Sequence, residues 1–185
     1  MISAGDFRNG VTFEMDGEVF RVLEFQHVKP GKGSAFVRTK YQNVKTGATV
    51  ERSFNPNDRF PLVRLEYRDL EYLYNDGTLY YFMDSETYEQ LPVEADLLEE
   101  TLPYLKENMH CKIISYKGEI FNVEPPLHVE LQIIRTDPGV RGNTASNAMK
   151  TATLETGFDI RVPLFIEQGE VVRVDTRTGE YMERA

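Results

Sequence analysis

Tryptophan is absent from the 185 residues, and cysteine occurs once, at position 111. A single thiol excludes an intramolecular disulfide framework and any zinc site built from several thiolates. Cys111 opens the apolar run Cys-Lys-Ile-Ile-Ser, where a small buried core residue is expected rather than a reactive thiol. Histidine is scarce as well. His27, His110 and His128 stand far apart, without the metal-ligand spacing of a His-Glu-x-x-His pair. Neither a Gly-x-Ser-x-Gly elbow nor a Gly-x-Gly-x-x-Gly fingerprint is present. No run approaches the ~18 apolar residues that a membrane-spanning helix needs. The opening Met1-Ile-Ser-Ala-Gly-Asp6 lacks the charged and apolar regions of a secretory signal. The expectation is a cytoplasmic protein with no catalytic residue, no metal, no cofactor and no membrane partner.

What the chain does have is short apolar or alternating runs separated by turn dipeptides. Asp16-Gly17, Thr46-Gly47, Asp76-Gly77, Lys117-Gly118 and Thr178-Gly179 each lie between segments rich in Val, Ile, Phe, Tyr or Thr. A β-branched or aromatic run, a turn pair such as Asp-Gly, then another such run is the pattern of a β-hairpin. Strands spaced this way point to small barrels rather than to βαβ units. One stretch reads as helix. In Glu94-Ala-Asp-Leu-Leu-Glu-Glu-Thr-Leu102 the leucines 97, 98 and 102 share a face, with Pro92 before and Pro103 closing the segment. The fold class is therefore all-β.

Two boundaries divide the chain. One follows the turn-rich connector Asn55-Pro-Asn-Asp-Arg-Phe-Pro61, near residue 64. The other is Glu124-Pro-Pro-Leu127, where paired prolines stiffen a linker. Residues 1–64, 65–127 and 128–185 then each have the size of a small SH3-like or OB-like barrel. The overall net charge of −9 argues against nucleic acid as a partner, but the three segments carry +3, −10 and −2. Between Phe25 and Val50 there is no acidic residue, while Lys29, Lys32, Arg38, Lys40 and Lys45 fall in that window. A basic stripe at one end of an acidic molecule steers that end toward a polyanion. The plain alternative is a solvated hairpin with no partner.

Within the stripe, His27-Val-Lys-Pro-Gly-Lys-Gly-Ser-Ala-Phe36 separates two strand-like runs. Pro30 fixes one φ angle, and Gly31 and Gly33 admit backbone angles closed to other residues, which suits a narrow protruding tip. Lys32 stands between the two glycines with no side chain beside it to cover it. Three readings of the tip are open. It is a glycine-rich turn with a solvated lysine, a phosphate-cradling loop, or a lysine offered into an RNA cavity. The second lacks P-loop spacing and a following helix. A solvated lysine amine is protonated at neutral pH, so amine catalysis is not expected.

Longer runs carry a resemblance. Lys150-Thr-Ala-Thr-Leu-Glu-Thr-Gly157-Phe-Asp-Ile160-Arg-Val162-Pro163-Leu-Phe-Ile166-Glu-Gln-Gly169 closely resembles a signature of the bacterial elongation factor P family. The ending through Tyr181 to Arg184, the run Tyr74-Asn-Asp-Gly to Glu89-Gln90, and Lys29-Pro-Gly-Lys-Gly33 are similar to that family too. The resemblance covers the whole chain. It implies an SH3-like (KOW-type) N-terminal domain followed by two OB-type domains, in an L-shaped arrangement like tRNA. It further implies a monomeric factor that binds the 70S ribosome between the peptidyl and exit sites and relieves stalling at consecutive prolines. By this similarity Lys32 matches a position that is post-translationally extended by a dedicated modifying enzyme and reaches the CCA end of peptidyl-tRNA. Pro30, Gly31 and Gly33 would shape the loop, and Lys29, Arg38 and Lys40 would face RNA. A loop expected near the exit-site mRNA codon reads Gly-Asp-Thr in the family, whereas here it is Gly142-Asn143-Thr144. Asparagine keeps an acceptor, adds a donor and loses the charge. For Tyr181 and Arg184, barrel packing and a solvated terminal charge are the simpler assignments.

Three rivals remain. An elongation-factor-P-like paralogue usually lacks the tip lysine and the Glu86-Thr-Tyr-Glu-Gln90 run, both present here. An OB protein binding single-stranded nucleic acid needs aromatics interleaved with cations. Here the aromatics concentrate in the −10 segment. An enzyme using Lys32 as a Schiff-base amine is the third.

Overall fold

A computed structural model describes residues 1–139 and 148–185 of the chain. These residues form sixteen strands and two short 3-10 turns. The chain gathers into two compact units, Met1–Glu66 with Ile114–Asn122, and Tyr67–Ile113 with Val123–Ala185.

In the first unit β1 (Ile2–Ser3) pairs with β6 (Arg59–Phe60). The main sheet runs β2-β3-β4-β5, from β2 (Thr12–Met15), β3 (Glu18–Val28), β4 (Phe36–Asn43) and β5 (Thr49–Phe54). Asp16 and Gly17 both adopt positive φ, 55° and 79°. That is the geometry of a two-residue turn matched to the right-handed twist of its strands, and it sets the register Met15↔Glu18. Strand alternation then turns Phe13, Phe20, Val22 and Tyr41 inward, where they join Ala4, Phe7 and Phe54. The rings of Phe7 and Phe13 stack with centroids 4.9 Å apart, and Phe20 meets Tyr41 edge-on at 5.1 Å. Each fully buried phenylalanine contributes on the order of 2–3 kcal/mol in apolar burial. A second cluster in the same unit joins Val19, Val44, Val63 and Leu65 to Ile114 and Phe121.

Next along the chain come β7 (Glu66–Asn75), β8 (Leu79–Met83) and β9 (Gln90–Glu94). With β10 (His110–Tyr116) and β11 (Glu119–Glu124) they form a sheet in the order β11-β10-β7-β8-β9. Pro92, which has no N–H to give to a ladder, lies in β9, the terminal strand of that order. Leu70, Phe82, Val93, Leu98, Cys111 and Ile113 are buried. Burial, with Asp69 nearby, pushes the Cys111 thiol up to about 12, so it is a core residue and not a nucleophile.

The last five strands are β12 (His128–Thr136), β13 (Met149–Leu154), β14 (Asp159–Pro163), β15 (Val171–Asp175) and β16 (Glu180–Arg184). They run in the order β14-β13-β12-β15-β16, and β14 and β16 come back beside one another. Val129, Leu131, Ile133, Ala152, Leu154, Ile160, Val162, Val172 and Val174 fill the interior. Of the run 150–169 that carries the resemblance, Ala152, Leu154, Ile160, Val162 and Ile166 lie in this core.

The helix expected over residues 94–102 does not form. Ala95–Leu98 makes one 3-10 turn, and tight turns follow, with the N–H of Thr101 and of Leu102 both donating to the carbonyl of Leu98. Glu94 supplies no side-chain cap. Pro103 has no N–H to continue a helical ladder and disfavours the helical region for Leu102. A segment this short also carries the full cost of nucleation. Leu98 still buries completely, and the Thr101 hydroxyl donates to the carbonyl of Val123 at 3.0 Å.

Candidate functional site: the Lys32 hairpin

β3 is the longest strand among the described residues, and its ladder with β4 runs out to the pair Val28↔Phe36. Beyond that pair residues 29–35 form no ladder, and every one of them is exposed. An extended half-loop of that length carries its tip on the order of 10 Å past the last strand pair. Lys32 occupies the tip, and no hydrogen bond or ion pair joins it to another described residue. The long stem adds to this reach, leaving a mobile ammonium that offers three donors and no acceptor.

The two glycines beside Lys32 differ. Gly33 has φ +107°, a conformation L side chains rarely adopt, and a Cβ there would lie 3.8 Å from the Pro30 ring. Gly31 takes angles open to any residue, and a Cβ built on it meets nothing within 4 Å. Of the two glycines, only Gly33 uses a backbone angle that other residues rarely adopt.

Below the tip the basic stripe changes character. Arg38 and Lys40 both point outward from β4, between the buried Val37, Thr39 and Tyr41. Lys40 sits opposite Glu24 on one side and opposite Glu51 on the other. The Arg38 guanidinium comes within 3.9 Å of Glu51, with both side chains more than half exposed, so the pair adds little stability. Together with Asn9, Phe25 and Gln26 these four charged residues line an open groove of about 540 Å³. Lys45 is engaged elsewhere in the unit. Its ammonium donates to Glu119 at 2.6 Å and lies 5.9 Å from the Phe121 ring centroid.

Of the five cations in the acid-free stretch, Arg38 and Lys45 pair with Glu51 and Glu119, Lys40 stands between Glu24 and Glu51 in the sheet, and Lys29 and Lys32 face no cross-strand carboxylate among the described residues. Sequence reasoning missed Glu24 and Glu51 because they bracket the acid-free window. The signal was there: antiparallel pairing folds the two ends of a window back onto its middle. Gly142, Asn143 and Thr144 lie outside the described residues. Among the described residues, no group of three or more His, Cys, Asp and Glu is arranged to hold a metal ion. None of the helices described is long and apolar enough to cross a membrane.

Comparison with known proteins gives this architecture its class. Residues 3–60 match the family model "Elongation factor P (EF-P) KOW-like domain", residues 65–123 the "Elongation factor P (EF-P) OB domain", and residues 129–184 "Elongation factor P, C-terminal". The fold recurs in the translation initiation factor 5A of Methanococcus jannaschii, with a TM-score of 0.51 at 22% identity, over 66% of this chain and 94% of that one. The chain is thus a translation factor assembled from KOW-like and OB-type β-barrels. It shares 59% identity with elongation factor P of Acetivibrio thermocellus, over 100% of both chains. With that of Ruminiclostridium cellulolyticum it shares 60%, over 100% of this chain and 99% of the relative. This chain belongs to the elongation factor P family and acts in translation elongation.

Proposed function

We propose that this protein binds the 70S ribosome between the peptidyl and exit sites and relieves stalling at consecutive prolines by presenting Lys32 to the CCA end of peptidyl-tRNA. The observation that carries the reading is an exposed lysine, without a hydrogen-bond or ion-pair partner among the described residues, at the end of a hairpin that outruns its own ladder. Such a tip can enter a narrow RNA cavity without giving up any contact within its own fold.

The role is positional, not catalytic in its own right. rRNA supplies the peptidyl transferase centre, and the factor narrows the orientations open to a poorly reactive pair. Proline is a stiff partner, so entropic help matters most there. Lys29 meets phosphate beside the tip, with Arg38 and Lys40 further down the hairpin. Gly142, Asn143 and Thr144 are assigned to the exit-site codon by family likeness. The chain works in the cytoplasm as a monomer, with residues 1–64, 65–127 and 128–185 as its three modules, and a dedicated enzyme extends Lys32.

Intact mass of the protein purified from its native host reports whether an extension is attached. A reconstituted polyproline synthesis assay tests the function. Lys32→Ala is expected to fold normally and to lose rescue. Lys32→Arg keeps the charge but not the amine, and is expected to lose whatever part depends on the extension. Equal rescue by Lys32→Ala and wild type would remove the proposal.

A further inference from the structure

The function above leaves the tyrosines of the −10 segment without a role. β7, β8 and β9 turn Leu70, Tyr72, Phe82 and Val93 into the core, and the residues that alternate with them form an outer face, which Tyr74 joins because the ladder shifts by one residue between Tyr72 and Tyr74. The register lays that face out as a grid. Tyr74 stands opposite Tyr81, and Tyr81 opposite Pro92, one continuous row across three strands. On one side of that row lie Glu71, Met83 and Gln90, and on the other Leu79 and Glu94. The rings of Tyr74 and Tyr81 stack at 4.8 Å with 21° between their planes, yet Tyr74 is still 47% exposed. The Tyr81 hydroxyl donates to Asp76 at 3.0 Å, and the backbone N–H groups of Thr78 and Leu79 donate to the same carboxylate. The platform is therefore fixed in place, with π surface open to solvent.

Its charge selects the occupant. Glu71, Asp76 and Glu94 surround the row, and the three strands contain one cation, Arg68. Arg68 is held by Asp84 at 3.1 Å and Glu89 at 3.3 Å. A nucleic acid would bring phosphate against these carboxylates, and a second copy of a chain with net charge −9 would bring like charge. An arginine suits both features, stacking flat on the tyrosine face while its fork meets a carboxylate. We infer that the Tyr74–Tyr81–Pro92 row is a docking surface for an arginine-rich protein segment, separate from the Lys32 tip. The simpler alternative is a cross-strand aromatic pair that only stabilises its hairpin.

Fluorescence anisotropy with the full-length chain separates the two. The probes are a short labelled peptide of alternating arginine and glycine, its lysine counterpart, and an oligouridylate of equal length. The arginine peptide is expected to bind wild type and Tyr74→Phe alike, and the lysine peptide more weakly. Tyr74→Ala should weaken the arginine peptide by about fivefold with no change in charge. Glu71→Gln with Glu94→Gln should weaken it and flatten its salt dependence. If Tyr74→Ala disturbs folding, Tyr74→Leu carries the comparison, since it keeps an apolar strand residue but no π face. Unchanged peptide affinity in Tyr74→Ala, or in Tyr74→Leu where that carries the comparison, overturns the inference. So do preferential binding of oligouridylate, self-association through this face, and absence of peptide binding at low salt.

Discussion

Lys32 depends on a backbone position one residue away. Gly33 holds φ at +107°, where an alanine would be strained by about 1–2 kcal/mol, whereas Gly31 has neither the angle nor a neighbour to restrict it. Both lie in an exposed loop outside any ladder, so neither contributes to a core. An exposed loop outside any ladder relieves that strain by rearranging, so Gly33→Ala is expected to leave global stability in urea within about 0.5 kcal/mol of wild type, and to impair polyproline synthesis by redirecting the tip. Gly31→Ala should match wild type in both measurements. If both variants behave alike in synthesis, tip direction does not matter and the amine acts through reach alone.

At the level of elements, the hairpins were legible because their turn residues are chemically distinctive. Asp16-Gly17 and Lys117-Gly118 both take the paired positive φ angles that only a few residue types accept readily. The helix over residues 94–102 was misread because three leucines at helical spacing look the same whether they line a helix or a series of tight turns. Pro103 decides the matter, and its effect is exerted on residues before it. The loop between β8 and β9 shows a further contribution that periodicity does not register. Asp84 accepts from the N–H groups of Glu86 and Thr87 and from Arg68. The Glu86 N–H first, then the Arg68 guanidinium, hold its carboxyl below the usual range. A lowered native pKa stabilises the fold above the ordinary carboxylate range, near pH 4, and that stabilisation is lost as pH falls through the native value. Asp84→Asn copies the protonated form. At pH 7 its amides at Glu86, Thr87 and Tyr88 should exchange faster than those of wild type. The difference should shrink steadily as pH falls, and a pH-independent gap would mean that the charge is not what orders the loop.

For the molecule as a whole, net charge is a poor guide to what its surface does. The sequence shows five cations and no carboxylate between residues 25 and 50, yet pairing of β3, β4 and β5 sets Glu24 and Glu51 on either side of Lys40. Linear windows lose this because sheet neighbours come from distant positions. The same interleaving makes a testable statement about ribosome binding. If the hairpin meets RNA as proposed, Lys40 and Arg38, set beside Glu24 and Glu51, would release fewer counterions than two free cations would. Neutralising the carboxylates should return them. In a series of salt concentrations, Glu24→Gln with Glu51→Gln is expected to bind ribosomes more tightly at low salt than wild type. Its log–log salt slope should steepen toward the ~0.7–0.9 per phosphate contact expected of freed cations. Lys29→Ala, which removes a cation with no cross-strand carboxylate among the described residues, should move the slope the other way. If instead the glutamate variant binds less tightly, Glu24 and Glu51 are themselves contacts, and the groove they line faces a basic protein rather than RNA.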